Sequence, residues 1–178
     1  LRPAQVVCIG SWRGFVPLVL AKGLQDNGNG GRVCFIDPSL VDDFWGDPSR
    51  VKDWWAHFGI DNIDHHRLTT QDFVRTPAMA ALGPVGLLFV DGLHTAEQAR
   101  FDHEAFVPRL TPDAVVCFHD GVRHKQSRLY GDDKAYRHTV VDYIDELKRR
   151  PGLQVMDFPL DAGVVLVRQV APAESSRG

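Results

Sequence analysis

Short apolar runs recur along the chain, and each is halted by glycine or an acidic turn. Gln5–Ile9 stops at Gly10, Arg32–Ile36 at Asp37, Val85–Val90 at Asp91, and residues 114–118 at His119-Asp120-Gly121. Runs this short, without polar alternation, are patterned as strands buried on both faces. A further strand is expected over residues 63–68. Helical patterns lie between the runs. Residues 15–25 follow a glycine turn, with Pro17 in the first turn, where a missing N–H costs little. Val51, Trp54, Trp55 and Phe58 recur at i, i+3, i+4 and i+7. Residues 76–82 predict a short helix before Gly83-Pro84. Thr95 and Gln98 have capping-box spacing, so a helix is expected to start at Thr95 and to pack through Ala96, Ala99, His103 and Phe106 until Pro108 ends it. A polar, positively tinged loop over residues 122–134 follows. Tyr136, Val140, Ile144 and Leu147 then make a helical stripe, closed by Lys148-Arg149-Arg150 and Pro151-Gly152. Leu153–Phe158 and residues 163–168 are spaced as a hairpin.

Five strands alternating with helices, then a hairpin, predict an α/β fold: a Rossmann-like, doubly wound, seven-stranded sheet with one antiparallel strand from the C-terminal hairpin. Residues 1–170 read as a single domain and 171–178 as a flexible tail. The chain opens on Leu1 and enters a strand almost at once, so an N-terminal element is expected to be missing.

Composition narrows the function classes. With 178 residues, 44% hydrophobic, 24% charged and a net charge of −3, nothing points to nucleic acid or anionic lipid. No apolar stretch nears the length of a membrane span, and the expected location is cytoplasmic. Cys8, Cys34 and Cys117 each lie inside an apolar run, neither in a metal pattern nor in a disulfide framework, and read as buried inert thiols.

Ligands of open parallel sheets bind outside the carboxyl ends of the strands, where Asp91, His94, His119 and Asp120 converge. Gly10-x-x-x-Gly14 follows a strand and opens a helix, which lets backbone approach a ligand. Asp37, ending the second strand, suits the two hydroxyls of a ribose, or else caps a turn before Pro38. Asp72 suits an adenine amino group or a helix cap. The Trp54-Trp55 pair and His103 read as core; His57, His65 and His66 read as surface or structural residues. Arg123, His124, Lys125 and Arg128 form either a solvated basic loop or a cover for an acceptor.

The segments Ile9-Gly10-Ser11-Trp12-Arg13-Gly14, Phe35-Ile36-Asp37-Pro38, Val90-Asp91-Gly92-Leu93-His94 and Phe118-His119-Asp120 together resemble the class I S-adenosylmethionine-dependent methyltransferases. Within these, the chain is most similar to a small group with a D-G-x-H turn after strand four and an H-D turn after strand five. The resemblance implies that Gly10 and Gly14, with Ser11 between them, wrap the methionine part of the cofactor. It implies further that Asp37 holds the ribose, Asp72 lies near the adenine, and Asp91 faces the sulfonium and substrate. One departure is Cys8, where the family usually carries an acid; this removes a charged contact near the amino acid part. The lid that normally precedes strand one is not seen.

Methyl transfer needs alignment of nucleophile, methyl carbon and sulfur, and removal of a proton. Asp91, His94 and His119 are the candidate catalytic residues, with the two imidazoles as bases. Related O-methyltransferases hold a divalent cation with acids at the ends of strands four and five, which are Asp91 and Asp120 here. Magnesium prefers oxygen, so histidine ligands would tilt the choice toward manganese, iron or zinc. If the fifth strand persists, His119 and Asp120 point to opposite sides, and only one reaches the cleft. The expected activity is O-methylation of a small-molecule hydroxyl on a sugar or natural product, with a homo-oligomer compatible with the sequence. Two alternatives stay open: a degenerate S-adenosylmethionine-binding protein, and an NAD-dependent oxidoreductase, against which the G-x-x-x-G spacing and the closing hairpin speak.

Overall fold

A seven-stranded sheet in the order β3-β2-β1-β4-β5-β9-β8 organises the computed structural model, which describes residues 1–38, 47–128 and 131–170. Strands β1 (Gln5–Ile9), β2 (Arg32–Ile36), β3 (Ile63–His66), β4 (Val85–Val90) and β5 (Leu110–His119) pair in parallel. The hairpin β8 (Leu153–Phe158) and β9 (Val164–Gln169) closes the edge, and β9 runs antiparallel to both neighbours. The expected architecture is therefore the observed one. The apolar runs are central strands: Val6, Val7, Cys8, Val33, Phe35, Leu88 and Phe118 are buried.

One core layer lies under α1 (Phe15–Asn27) and α2 (Pro48–His57), where Val51 and Trp55 pack on Phe35. The other holds α5 (Ala96–Glu104) and α6 (Val140–Arg149), with Ala99, Phe106, Tyr143, Ile144 and Leu147 against β4, β5 and β9. Burial of these side chains is the main stabilising term, about 1.5–3 kcal/mol for each large aliphatic or aromatic residue fully removed from water. All three cysteines are buried and unpaired, and burial pushes their thiols up, those of Cys34 and Cys117 to about 12. Among the described residues no helix is long and apolar enough to cross a membrane.

Several local expectations need correction. Thr95 caps α5 as read, its hydroxyl accepting the Gln98 N–H at 3.2 Å, but the Gln98 side chain bonds Asp102 at 2.7 Å instead of closing the box. Strand β3 ends at His66 and is followed by two short helices, α3 (Thr70–Phe73) and α4 (Pro77–Ala81), capped by the hydroxyls of Thr69 and Thr76. Strand β5 starts at Leu110 because Thr111-Pro112-Asp113 bulge outward, shifting the register between the Val85–Leu110 and Leu87–Val115 pairs. The loop after β5 contains a two-stranded antiparallel ribbon, β6 (Lys125–Ser127) with β7 (Tyr136–His138). Tyr136 thus lies on β7 rather than on the helical stripe, and Tyr143 takes its place inside. The tail at 171–178 and the acidic, aromatic loop at 42–45 fall outside the described residues.

Candidate active site at the carboxyl edge of the sheet

The tops of β1, β2 and β4 are drawn tightly together. Gly10 donates its N–H to Ile36 at 2.9 Å, and Asp91 donates to Ile9 at 2.8 Å. Gly10 has φ +70, and a Cβ built on it would lie 2.1 Å from the Asp91 carbonyl oxygen. Only glycine fits that wedge. Ser11 donates its N–H to Asp37 Oδ2 at 3.1 Å and takes the Val16 N–H on its hydroxyl at 3.3 Å, which ties the turn to the start of α1. Gly14, φ +72, turns the chain into that helix. Trp12 holds a left-handed backbone, φ +42, at the mouth, with Arg13 over its ring at 5.2 Å.

These segments frame a cavity of about 260 Å³. Gly10, Ser11 and Asp37 line one wall, and Asp91 and His94 another. The third wall is Thr70, Gln71, Gln98 and Asp102. Gly14 stands outside the lining. Asp72 does too: α3 turns it outward, where it accepts the Thr69 hydroxyl at 2.8 Å and lies 3.8 Å from Arg75. Asp72 stands in the first turn of α3, whose cap is Thr69: the Thr69 hydroxyl accepts the Asp72 N–H at 3.1 Å.

Asp102 is a member of the site that the pattern concealed. It is 1% exposed, on the packed face of α5, and part of a chain in which Gln71 donates to Gln98 at 2.8 Å and Gln98 to Asp102 at 2.7 Å. Burial raises its carboxyl to about 6. A charged residue three positions after buried Ala99 was the available signal.

At the β4–β5 end, five acid and imidazole side chains cluster. His119 Nδ1 lies 2.8 Å from Asp91 Oδ1, close but not aligned as a hydrogen bond, and 3.6 Å from Asp120 Oδ1. His94 Nε2 is 3.7 Å from Asp91. The strand does not persist through both residues: β5 ends at His119, and Asp120 takes a left-handed φ of +54. That rotation lets His119 and Asp120 enter the same cluster, where alternation would have separated them. Asp120 Oδ2 then lies 2.8 Å from Nδ1 of His138, a buried residue of β7 whose ring stacks on His94 with centroids 4.3 Å apart. His138 was missed because it sits nineteen residues after His119, in a segment read as helix.

The imidazoles differ in charge preference. The Asp91 carboxylate beside His119 pushes its pKa up, whereas burial pushes His94 and His138 down. Two groups of potential metal ligands emerge among the described residues: Asp91, His94 and His119, and His94, Asp120 and His138. The two acids expected to share a cation fall in different groups.

The histidines read as structural lie away from this cluster. His103 Nδ1 meets the Tyr143 hydroxyl at 2.8 Å, and His65 stacks on Phe35 at 4.6 Å; burial lowers both to about 4. The basic loop is held by acids, Arg123 to Asp161 at 3.1 Å, His124 to Asp142 at 2.9 Å and Arg128 to Asp132 at 3.3 Å.

A family model described as a methyltransferase domain matches residues 7–121, from β1 through the H-D turn. The chain belongs to that methyltransferase family. Solved structures share the methyltransferase fold over nearly the whole chain. An O-methyltransferase from Bacillus cereus in complex with SAH superposes with a TM-score of 0.68, at 17% identity, covering 94% of this chain and 74% of that one. The O-methyltransferase TomG from Streptomyces achromogenes, involved in tomaymycin synthesis and solved with SAM, gives 0.66 at 16% identity, covering 96% and 74%. A methyltransferase from Geobacter sulfurreducens gives 0.65 at 16%, covering 96% and 73%. The uncharacterized protein y4gI of Sinorhizobium fredii is 30% identical over 132 residues, 67% of this chain; the matched part spans only 13% of that relative's length.

Proposed function

We propose that this methyltransferase-family chain uses S-adenosylmethionine to methylate a hydroxyl of a small molecule such as a sugar or natural product. One observation carries the reading: the Gly10–Asp37 wall and the Asp91–His94 wall line the same cavity, so the glycine turn and two members of the acid–imidazole cluster face one space. The SAM and SAH in the solved neighbours support the choice of cofactor.

The residues fit that cofactor. Gly10 and Ser11 line the cavity, and their turn suits the amino acid portion. The Asp37 carboxylate lines the cavity and suits the hydroxyls of a ribose. Thr70 and Gln71 stand where Asp72 was expected to meet the adenine. The cofactor supplies a methyl group already activated on a sulfonium. The chain's own task is to hold the acceptor in line and to remove its proton.

Asp91 and His119 suit the proton. His119 is half-exposed, so an acceptor can reach it, and Asp91 favours its protonated form. A base with a raised pKa is neutral only above that pKa, so turnover is expected to rise as pH climbs through it. His94, pushed down by burial, stays neutral and positions rather than protonates.

The test is incubation with S-adenosylmethionine and a panel of hydroxylated acceptors, read by mass spectrometry. Methylated product that falls sharply in His119→Gln supports the reading. Cofactor binding without product across the panel would favour a degenerate binding protein, and a preference for NAD would overturn the reading.

A further inference from the structure

We propose that a second cavity, where β5 and β8 start and β9 ends, binds a medium-chain aliphatic carboxylate, with Arg150 and Arg168 receiving the carboxylate and buried aliphatic side chains receiving the tail. It lies at the end of the sheet opposite the cleft, and the inference stands independently of the methyl-transfer reading above.

The space follows from how β5 begins. Pro112 has no N–H for a ladder, and the bulge around it shifts the register of β5 against β4. On the other side, β9 pairs with β5 over Val115–His119, so among the described residues nothing extends the sheet beside residues 110–114. Helices α5 and α6 stop at Glu104 and Arg149 and leave this end open. The resulting cavity is about 240 Å³, room for about eight water-sized groups at about 30 Å³ each. Buried Ala114, Val116 and Val167 line it together with half-buried Leu110 and Leu153. That is an apolar lining sized for a ligand smaller than the drug-like molecules of pockets of about 300–1,000 Å³.

Charge selects the head group. Two exposed guanidiniums, Arg150 and Arg168, belong to the lining, and among the described residues no carboxylate does. Arg150 lies 5.7 Å over the Tyr143 ring and reaches Glu104, outside the lining, at a long 3.3 Å. Arg168 donates through Nε to the neutral Gln154 side chain at 2.7 Å, a bond that leaves its charge uncompensated. A planar carboxylate matches the guanidinium fork. A wholly polar anion would leave the apolar lining unused, and a neutral chain would leave the two charges unused. The one aromatic ring among the described lining residues is His103, whose Nδ1 is taken by the Tyr143 hydroxyl at 2.8 Å. The other apolar walls are aliphatic, which suits an aliphatic tail rather than a stacked ring.

The experiment titrates octanoate into the full chain by calorimetry, with acetate and 1-octanol beside it, and follows the histidine ring resonances by NMR. Saturable binding of octanoate with a Kd at or below about 1 mM is expected, with acetate and 1-octanol each weaker by about tenfold or more. Arg150→Gln and Arg168→Gln should each weaken octanoate by about tenfold. Val107→Asp, at a lining position 42% exposed and so tolerant of change, sets a like charge in the mouth and should abolish binding. The His103 resonances should move on binding while those of His94 and His119 stay. Absence of saturable binding, 1-octanol bound as tightly as octanoate, indifference to all three substitutions, or movement of His94 and His119 in place of His103 would each overturn the proposal. S-adenosylhomocysteine titrated into the same proteins reports separately on the methyltransferase reading, so the two can fail independently.

Discussion

The two ends of the cleft are built from different materials. At the β1–β2 end the backbone does the shaping: a positive-φ glycine on which a Cβ would lie 2.1 Å from the Asp91 carbonyl oxygen, a Ser11 N–H on Asp37, and few polar side chains. At the β4–β5 end, side chains do the shaping, with three imidazoles and two carboxylates drawn from strands or loops as far apart as His94 and His138. A backbone-built wall tolerates almost no change at its few fixed points but takes little from the rest of the chain. A side-chain-built wall divides its work, so single changes should remove one function and spare another.

Gly10→Ala breaks the first wall most severely. The added Cβ meets backbone atoms that cannot swing aside, at a φ that costs a non-glycine residue energy; a loss of about 3 kcal/mol or more is expected, with S-adenosylhomocysteine binding abolished. Denaturant unfolding and calorimetry check it. Retained binding would mean that the wall is softer than described. On the second wall, His119→Gln should lower turnover by about 10²–10⁴ while changing S-adenosylhomocysteine affinity less than about threefold. A matching fall in affinity would place His119 on the cofactor and merge the two ends.

The smallest effect concerns the packed layer beneath both walls. His65 and His103 are held neutral to about pH 4 by burial, whereas an unfolded chain protonates them near 6.5. Their contribution is therefore present above pH 6.5 and lost as pH falls toward 4, at about 1.4 kcal/mol per unit for each. Asp102, raised to about 6, works in the opposite sense below that pH. His103→Gln should flatten the fall in stability between pH 6 and 4 by about one proton's worth, measured by unfolding at stepped pH.

The same contrast explains what the sequence made legible. The strands were legible because both-face burial writes uninterrupted apolar runs, and the Thr95 cap because its hydroxyl sits at a fixed spacing from Gln98. Gly10, Asp37 and Asp91 were legible because they end strands on one edge. Thr70, Gln71 and Asp102 were not, since the phase of a four-residue helix and the depth of a helix face depend on packing. Nor was the meeting of His119 with Asp120, because it requires a left-handed aspartate that no local rule demands. His138 was hidden furthest: β7 pairs three residues with β6, too few for alternation to register.

The central claim, that the β1–β2 wall holds a nucleoside cofactor of the methyl-transfer type, is tested most directly by calorimetric titration of S-adenosylhomocysteine into the intact chain and into Asp37→Ala, with NAD alongside. The account predicts saturable binding to the intact chain, weaker by about a hundredfold in the variant through loss of charge-assisted bonds to the ribose, and none of comparable strength for NAD. Binding that Asp37→Ala leaves unchanged, or a preference for NAD, would contradict it.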